Sequence, residues 1–512
     1  MIRLTQSSNS VGASPSLSSG PRVVRIFALV ILLSGAALYE SAHVSAITAS
    51  EVWVHLRTGT WMLDNHAIPR TGLFSQYSNL AWHDSTWAFD LILGLGYRLF
   101  GLRALPILLM LLKAGLALVT FRLARSAGAD FWRAIALSAL AQYIIAAIFP
   151  LPYVVSMLFF AVEVRWLLAS RRSGSMKRLY WLPVLFLVWA NVHAHFLSGL
   201  VMLGIYVVSL FIEQGLRSAG TKFLSADIVP LPIARVSLIA GASLLAAVLT
   251  PYGFRLLAAS FDTLYNDAAF QFFTEMSALH FRRPQEYLLM LLVMSAFLAL
   301  GRRRSLAVFE LLMLLAVTAL AFRVQRDLWL AVLLAIAVVG QGFAASPADD
   351  SKQDGGVPAW EWGSVAGAMA ALLIVAALRL PDQDALTATI RRDYPVKACD
   401  YILANKLPPP LFNTYPWGSF LIWYSPQYPV VVDSRVELYG DKILTESFDI
   451  VGGKERLEEH PIVARAGTLL LERNSSMARA LVNLPGLKAQ YRLVYSDDLA
   501  SVFVPQAAGS KP

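Results

Sequence analysis

Residues 44–101, VSAITASEVWVHLRTGTWMLDNHAIPRTGLFSQYSNLAWHDSTWAFDLILGLGYRLFG, interrupt the early hydrophobic segments of the chain for longer than any other stretch. No other part of the first half mixes acids, histidines, arginines and tryptophans as densely. Three polar residues recur at spacings of four and three, which places them on one helical face: Glu51, His55 and Thr58. Trp53 and Trp61 are typical of a helix that lies at the membrane interface. The stretch therefore predicts a juxtamembrane helix that presents an acid beside an imidazole.

The second half of this stretch predicts another short helix over 87–100. The run 64–72, DNHAIPRTG, has turn chemistry, and WHDSTW at 82–87 leads into an apolar segment that carries Asp90. His83 and Asp84 lie between two tryptophans there. Asp84 is a candidate acid, although it also stands where an N-cap for the helix belongs. Asp90 lies inside the apolar helix, so it is less easily explained by solvation.

Composition indicates an integral membrane protein. The 512 residues are 57% hydrophobic and 15% charged, and the mean hydropathy is +0.56, whereas soluble domains are about 45–50% apolar and about 25% charged. The net charge is +9, but the sequence contains no basic stripe with interleaved aromatic residues. This argues against nucleic-acid binding. The single cysteine, Cys399, excludes an internal disulfide.

Eleven apolar segments predict a transmembrane bundle, and 87–100 is interpreted as juxtamembrane. The predicted spans lie near 26–39, 102–124, 131–149, 151–170, 178–192, 196–213, 233–250, 285–301, 305–321, 327–344 and 362–380. With the N-terminus in the cytoplasm, Lys and Arg concentrate in the cytoplasmic loops, as the positive-inside rule requires. The polar loops 44–101, 191–195 and 251–284 then open to the exoplasmic face. Ionisable residues within the spans are expected to be paired, and they are Lys113, Glu163, Arg165 and Glu310.

Three regions are predicted. Residues 1–21 are Ser-rich and are expected to be a disordered cytoplasmic tail. Residues 22–380 form the membrane domain, with the apolar run 26–39 as a signal anchor and first span. Residues 381–512 alternate helical and strand patterns, which predicts an exoplasmic or periplasmic α/β domain with a mostly parallel sheet. LFNTYPWGSFLIWYS at 411–425 predicts a short strand, a turn and a helix, and further strands are predicted at YPVVVDSR (428–435), at TLLLE (468–472) and at two places near the C-terminus.

Several further polar residues are candidates for binding. Asn191, His193 and His195 stand at a membrane-exit turn, where hydrogen bonding to a substrate, closing a helix end, or ligating a metal are open alternatives. Arg323 and Arg326 could clamp a phosphate or snorkel to lipid headgroups. At predicted strand ends, Asn413, Asp433 and Arg435 could line a crevice or cap helices and fix turns. No nucleotide-binding, zincin or α/β-hydrolase motif occurs in a supporting context.

Four motifs together resemble a bacterial family of polytopic membrane proteins described as glycosyltransferase-like. They are EVWVHLRTGTWMLDNHAIPRTGLFSQYS, WANVHAHFLSGL, TPYGFRLL and NTYPWGSFLIWYSPQYPVVVDSRVELYG, and the resemblance spans about residues 45 to 505. The family lies within the GT-C superfamily, whose members use polyprenyl-phosphate sugars. Protein mannosyltransferases and lipid A aminoarabinose transferases are more distant relatives. Tyr252 and Trp417 lie in the shared motifs and are further candidate substrate-binding residues.

The resemblance implies a catalytic base in the first exoplasmic loop. Glu51 matches the position of the acid, and Asp84 and Asp90 are the alternatives; relatives commonly have a second acid where Ala49 stands and a Glu where Thr86 stands. It further implies inverting transfer from a polyprenyl-phosphate sugar to a glycan, lipid or protein acceptor at the bacterial inner membrane. Arg326, and after it Arg57, would stabilise the departing phosphate. A divalent cation assists some members of the superfamily, but no convincing ligand set is found.

Two other functions are compatible with the same sequence. A transporter or flippase for lipid-linked sugars should show inverted repeats and helices broken at the midplane, and no internal repeat is found. A non-catalytic membrane scaffold for envelope glycan assembly would explain why acids are missing at positions 49 and 86. A cavity shared by Glu51 or Asp84 with Arg326 would favour the enzyme over the scaffold.

Overall fold

The computed structural model describes residues 22–145, 151–221, 224, 228–263, 267–303, 305–342, 359–454 and 460–506. The predicted tail 1–21 and the segment ends at 146–149 and 343–344 lie outside the described residues. The helices of the membrane region are α1 Arg22–His43, α2 Ser45–Thr48, α3 Val52–Asn65, α4 Trp87–Phe100, α5 Ala104–Ala127, α6 Phe131–Ile145, α7 Tyr153–Ser173, α8 Leu182–Val192, α9 Phe196–Ser218, α10 Ile233–Val248, α11 Phe254–Thr263, α12 Asp267–Phe272, α13 Pro284–Arg302, α14 Val308–Arg323, α15 Leu328–Gly342 and α16 Ala359–Leu378. Short 3-10 helices lie at Gly101–Arg103, Leu179–Trp181, Thr274–Met276 and Gln325–Asp327.

Each of the eleven predicted apolar segments contains a helix. Six helical segments in the described part of the chain are long and apolar enough to cross a membrane, and α4 with α5 counts among them as one continuous segment, Trp87–Ala127. The others are shorter: a 15-residue helix such as α6 is about 22 Å long, less than the roughly 30 Å of a bilayer core. The chain is therefore a multi-pass helical membrane protein. The count of eleven spans and the sidedness of the loops stay predictions.

Helix α15 lies in the middle of the bundle. Its side chains from Leu328 to Val339 are buried on every face, and it packs against α5, α6, α7, α13 and α14. A helix that is hydrophobic all round has no face that prefers water, so the centre of a bundle is its stable position. The 3-10 helix Gln325–Asp327 at its N-terminal end is thereby held over the bundle axis.

Of the four ionisable residues predicted to be paired within the spans, Lys113 and Glu310 have charged partners, whereas Glu163 and Arg165 have none among the described residues. Lys113 donates to the buried Glu40 carboxylate at 3.0 Å, and Glu310 lies 3.7 Å from Arg171, which also pairs with Glu213. Glu163 differs, since both of its carboxyl oxygens are buried without a hydrogen-bond partner among the described residues. Its carboxyl group lies against Gly199, beside the rings of Trp189 and Phe186.

The first-loop helices α3 and α4 pack face to face through two glycines. A Cβ at Gly59 would stand 1.8 Å from the Asp90 carbonyl oxygen, and one at Gly94 would stand 2.6 Å from the Gly59 carbonyl carbon. Only residues without a side chain allow the two backbones this approach. The glycine contact therefore brings the polar faces of both helices together.

Most of the helices and strands predicted for the C-terminal region are present in the structure, but the predicted mostly parallel sheet is not. Its helices are α17 Gln383–Asp393, α18 Val396–Ala404, α19 Tyr415–Tyr424, α20 Val436–Gly452, α21 Pro461–Ala464, α22 Ser476–Asn483 and α23 Pro485–Gln490. The strands β1 Leu411–Asn413, β2 Thr468–Glu472, β3 Tyr491–Ser496 and β4 Ala500–Pro505 form one sheet in the order β1-β2-β4-β3.

That sheet is mixed. The β1–β2 pair is parallel, whereas the β2–β4 and β4–β3 pairs are antiparallel. Strands β3 and β4 are consecutive and form a hairpin. The prediction of a strand at YPVVVDSR is wrong. This segment joins no sheet in the described structure, and its residue Val430 makes an isolated bridge to Ser75 of the first loop. Its apolar run reflects burial between two parts of the protein, which periodicity does not distinguish from burial in a sheet.

The first loop and the C-terminal region pack closely together. The Gln76 side chain donates to the carbonyl oxygens of Leu411 and Pro429. Trp53, predicted at the membrane interface, is instead fully buried. Its ring contacts Phe420 and Trp423 of α19, with centroids 5.6 and 4.6 Å away. A large aromatic side chain gains more by complete burial against other rings than at an interface.

Candidate active site

A cavity lies where the first loop, the N-terminal ends of the bundle helices α7 and α9, and the C-terminal region meet. It has an empty volume of about 1370 Å³, part of which is open to solvent. Six carboxylates line it, and they are Glu51, Asp84, Asp90, Glu275, Asp327 and Glu437. Six basic or imidazole side chains also line it, and they are His55, His83, His193, His195, Arg326 and Arg435. A concave surface on which several polar groups converge is the expected place for a ligand site.

Glu51 occupies the N-cap position of α3, but its side chain makes no capping hydrogen bond. Its carboxylate lines the cavity and has no hydrogen-bond partner among the described residues. Burial raises the pKa of Glu51, and the charges of His55 and Arg326 partly oppose this increase. The result is a carboxylate of increased basicity that is available to a ligand.

His55 joins α3 to α4 through a group of polar side chains. Its Nδ1 atom lies 2.9 Å from Asp90 Oδ1 and 3.2 Å from Thr86 Oγ1. The Asp84 carboxylate accepts hydrogen bonds from the Thr86 amide at 2.9 Å and the Thr86 hydroxyl at 2.8 Å. Asp84 is therefore not the N-cap of α4; Thr86 holds that position. Burial lowers the pKa of His55, so the imidazole is neutral near pH 7.

Burial also dominates the ionisation of Asp84. It raises the pKa of Asp84 to about 7, with the nearby charge of Asp90 acting in the same direction and the Thr86 hydrogen bonds opposing it. One carboxyl oxygen, Oδ2, is buried without a hydrogen-bond partner in the described structure. Asp84 is thus less available than Glu51, because its other oxygen is already occupied by Thr86.

Arg326 enters the cavity from the 3-10 helix that precedes α15. Its guanidinium lies over the Tyr153 ring, 5.6 Å from the centroid, and its Nε atom is buried with no hydrogen-bond partner in the part of the chain that the structure describes. Burial acts to lower the pKa of Arg326, but Tyr153, Asp327 and Glu51 outweigh it and the pKa is raised. A permanently charged fork with an unused donor can bind an anionic group.

The histidines of the 191–195 turn lie beside Arg326. Their rings stack with centroids 5.0 Å apart. His193 Nδ1 is 2.7 Å from Ser156 Oγ, and His195 Nε2 is 3.2 Å from Asp327 Oδ1. Burial lowers the pKa of His193 well below its usual range, followed in effect by the charge of His195. Each ring therefore has one nitrogen that is already bound by protein.

The C-terminal region contributes Arg435 and Glu437 to the cavity. Arg435 donates to Asp433 through Nε at 2.8 Å and Nη2 at 2.6 Å, and to the Leu73 carbonyl oxygen through Nη1 at 2.8 Å. Glu437 accepts from Trp82 Nε1 at 3.1 Å. Burial acts to lower the pKa of Arg435, but Asp433 outweighs it and raises the pKa. Arg435 fastens the C-terminal region over the first loop and is largely occupied by that role.

Eight of the fifteen predicted site residues line the cavity. They are Glu51, His55, His83, Asp84, Asp90, His193, Arg326 and Arg435. Seven do not line it: Arg57, Asn191, Tyr252, Arg323, Asn413, Trp417 and Asp433. Arg57 and Arg323 lie over the rings of Phe74 and Phe270, at 5.4 and 5.6 Å.

The other residues outside the cavity have structural hydrogen bonds or core positions. Asn191 accepts from Trp87 Nε1 at 3.0 Å, and the Tyr252 hydroxyl donates to the Pro69 carbonyl at 2.8 Å. Asn413 is buried; its side chain donates to the Val432 carbonyl oxygen and accepts from the Val431 amide. Trp417 belongs to the main hydrophobic core. Asp433 is covered by Arg435 and Tyr439, because the segment expected to be a strand is a buried loop.

Several lining residues escaped the sequence analysis. They are Tyr153, Glu275, Asp327, Tyr415 and Glu437. Asp327 directly follows Arg326 at a predicted exoplasmic helix end, and Glu437 lies within a quoted family motif. These two therefore had a sequence signal. Nothing in the local sequence distinguishes Glu275 from an ordinary solvated acid.

The cavity does not offer a metal-ligand set. Among the described residues, no group of three or more His, Cys, Asp or Glu side chains converges to hold an ion. Asp84 Oδ1 already accepts from Thr86, and Asp90 Oδ1 is already bonded to His55. Each of the two histidines of the 191–195 turn also has one ring nitrogen bonded to a protein partner.

Comparisons with known proteins give a fold but no family. No family model matches the chain, and no curated protein matches it. Solved structures do: the oligosaccharyltransferase of Archaeoglobus fulgidus tethered with an acceptor peptide is 11% identical over 95% of this chain and 74% of that one, with a TM-score of 0.52. The same archaeal enzyme, AglB, in complex with an inhibitory peptide and a dolichol-phosphate is 11% identical over 96% and 75%, with a TM-score of 0.54.

A third solved structure is ArnT from Cupriavidus metallidurans bound to undecaprenyl phosphate. It is 14% identical over 96% of this chain and 99% of that one, with a TM-score of 0.47. The chain has the fold of the archaeal oligosaccharyltransferase. The resemblance found in the sequence is confirmed at the level of the fold.

Proposed function

We propose that this protein is an inverting glycosyltransferase that moves a sugar from a polyprenyl phosphate to a hydroxyl acceptor at the outer surface of the membrane. One observation carries the proposal. Glu51, a partly desolvated carboxylate without a hydrogen-bond partner, lines the same cavity as Arg326, a buried guanidinium with an unused donor. A base and a cation that face one space are what transfer from a phosphate leaving group requires.

The reaction follows from these two groups. Glu51 takes the proton of the acceptor hydroxyl, whose oxygen forms a bond to the anomeric carbon of the sugar. The bond from that carbon to the phosphate oxygen breaks, and the electron pair leaves with the polyprenyl phosphate. Arg326 stabilises the charge that develops on the departing phosphate. Attack from the side opposite the phosphate inverts the anomeric carbon.

The fold neighbours support the donor class. One of the two oligosaccharyltransferase structures holds a dolichol-phosphate and the other an acceptor peptide. We place the phosphate of the donor near Arg326 at the bundle end, and the acceptor near Glu437 and Tyr415 at the C-terminal side. The proposed location is the bacterial inner membrane, with the cavity on the periplasmic face. A glycan, a lipid or a protein could supply the hydroxyl.

The test is transfer of labelled sugar from a pool of polyprenyl-phosphate sugars to membrane acceptors. General bases contribute roughly 10²–10⁴-fold to rate, so Glu51→Gln should lower the rate by about 100-fold or more. The Gln side chain is isosteric and neutral, so the thermal unfolding of the variant should match that of the wild type. Hydrogen bonding of Asp84 to Thr86 predicts a smaller loss for Asp84→Asn.

Four results would contradict the proposal. Activity retained in Glu51→Gln would exclude Glu51 as the base. Activity lost in Asp84→Asn but not in Glu51→Gln would assign that role to Asp84. Absence of transfer with every donor, in wild-type protein supplied with native membranes, would favour the scaffold. Movement of lipid-linked sugar across vesicle membranes without transfer would favour the flippase.

A further inference from the structure

The hydrogen bonds around His55 define which of its ring nitrogens carries the proton. Its Nδ1 atom faces two oxygens, Asp90 Oδ1 at 2.9 Å and Thr86 Oγ1 at 3.2 Å. The Thr86 hydroxyl hydrogen is already donated to Asp84 Oδ1 at 2.8 Å. The oxygen of Thr86 can therefore only accept from the ring, and the Oδ1 atom of Asp90 can accept from it as well.

Because the Thr86 oxygen can only accept, neutral His55 carries its proton on Nδ1. The other ring nitrogen, Nε2, then carries a lone pair. Nε2 has no hydrogen-bond partner among the described residues, whereas the side chain as a whole lines the cavity. The His55 side chain is 13% exposed and the Asp90 side chain 1%. The carboxyl group of Asp90 is therefore more shielded from solvent than the imidazole ring is.

His55 also stands next to the proposed base. Glu51 is one helical turn before it, at the start of α3. Besides Glu51, the acids Asp84 and Glu437 face the imidazole and act to raise its pKa, whereas burial acts to lower it. An imidazolium formed at this site would keep its Nδ1–H hydrogen bond to Asp90 Oδ1.

We propose that Asp90 and His55 form a proton relay, in which His55 Nε2 receives the proton that Glu51 takes from the acceptor. The inference rests on the proposed function. In the relay step the O–H bond of the protonated Glu51 breaks and an N–H bond forms at Nε2. The imidazolium then passes a proton to water or a buffer base in the cavity and returns to the same tautomer. Glu51 is thereby made ready for the next turnover while substrate blocks its own contact with solvent.

A relay is recognised by comparing the first turnover with later ones. In His55→Ala, the first turnover at pH 7.5 should proceed at about the wild-type rate, because Glu51 starts as a carboxylate. Steady-state turnover should fall by about 10-fold or more, since proton transfer by a positioned group contributes at least that much. Imidazole added to the buffer should restore it by entering the space left by the side chain. His43→Gln, a change in an exposed histidine at the end of α1, is the matched control and should behave as the wild type.

The outcomes separate this inference from the proposed function. Wild-type activity with equal first and later turnovers in His55→Ala, with or without imidazole, would overturn the relay and leave the transferase intact. Equal loss of both phases without rescue by imidazole would make His55 a structural residue and also overturn the relay. Loss of all transfer in the wild type would overturn both proposals.

The tautomer provides a test that does not depend on activity. In protein labelled with ¹⁵N-histidine, the His55 resonances, assigned by their absence in His55→Gln, should show a protonated Nδ1 and an unprotonated Nε2 near pH 7. Asp90→Asn should weaken that preference, because an amide can present either a donor or an acceptor to the ring. A proton found on Nε2 of the wild type would contradict the relay.

Discussion

Glu51 and Arg326 change each other's ionisation because they share one partly desolvated cavity. The positive charge of Arg326 lowers the pKa of Glu51, opposing the larger effect of burial. Glu51 in turn favours the charged form of Arg326. The pair thus keeps a base and a cation together at a pH where a transferase must have both.

Removal of the Arg326 charge should therefore alter the pH dependence of transfer. In Arg326→Gln the pKa of Glu51 rises, so the acidic limb of the pH–rate profile moves to higher pH. Loss of stabilisation for the departing phosphate should also lower kcat/KM by about 100-fold, as loss of one preorganised donor commonly does. The measurement is the initial transfer rate across pH 5 to 9.

A control for this variant is Arg98→Gln. Arg98 pairs with Asp64 at the exposed ends of the first-loop helices, away from the cavity, and its loss should leave the profile unchanged. An Arg326→Gln profile that keeps the wild-type acidic limb would contradict the electrostatic coupling.

Asp84 should make protein stability depend on pH. The folded pKa of about 7 lies above the value of 3.8 expected for an unperturbed Asp, so the folded state binds a proton more tightly than the unfolded state. The contribution of Asp84 to stability is present below about pH 4 and is lost as pH rises toward 7. The apparent melting temperature of the detergent-solubilised protein should accordingly decrease between pH 4 and pH 7.

Asp84→Asn removes the titration but keeps an oxygen that can accept from Thr86. Its melting temperature should decrease less over the same pH range, so the curves of the two proteins should diverge from pH 4 to pH 7. Parallel curves would show that Asp84 does not carry this effect.

The contact between helices α3 and α4 depends on the absence of side chains. In Gly59→Ala the new methyl would collide with the Asp90 carbonyl oxygen, which forces the helices apart and stretches the bond from His55 to Asp90. We expect destabilisation of about 1–3 kcal/mol, which is typical of overpacking, together with slower transfer. Thermal unfolding and the sugar-transfer assay would measure both effects.

Gly204→Ala is the matched control for that change. Gly204 lies in α9, and a Cβ there would meet no atom within 4 Å. A loss in Gly204→Ala as large as that in Gly59→Ala would mean that helix propensity or lipid contact, and not the α3–α4 approach, determines the result.

The whole molecule is assembled by the packing of the first loop against the C-terminal region. Trp53 is buried between Tyr394, Phe420 and Trp423. Glu437 and Arg435 reach the cavity from the same C-terminal region. The cavity is therefore complete only when the two regions are docked.

Trp53→Ala should loosen this docking. Replacement of a fully buried Trp by Ala costs about 3–5 kcal/mol, and the first cleavages by a protease should then fall between the bundle and the C-terminal region. Transfer should fall as well, because Arg435 and Glu437 are no longer held at the cavity. Trp61→Ala, in the same helix at a half-buried position, should cause a smaller effect on both measurements. Equal sensitivity of the two variants would contradict a docking role for Trp53.

Sequence reasoning predicted most of the bundle and the side chains of the first-loop helices that face the cavity. Long apolar runs predicted the helices because the membrane requires every backbone polar group to be bonded within the segment. Helical spacing placed Glu51 and His55 on one face, and both line the cavity. The identity of the catalytic base remains a prediction. The domain boundary between residues 380 and 381 remains one as well.

The remaining features depend on contacts between residues far apart in the chain. Asp327, Glu437 and Tyr415 reach one cavity from segments separated by up to about a hundred residues, and local periodicity carries no information on such meetings. The apolar run 428–432 was misassigned for the same reason, since burial looks alike in a strand and in a docked loop. Local composition determines which segments form helices. Long-range packing determines which polar side chains lose water together, and the altered ionisation of Glu51, His55 and Asp84 follows from that loss.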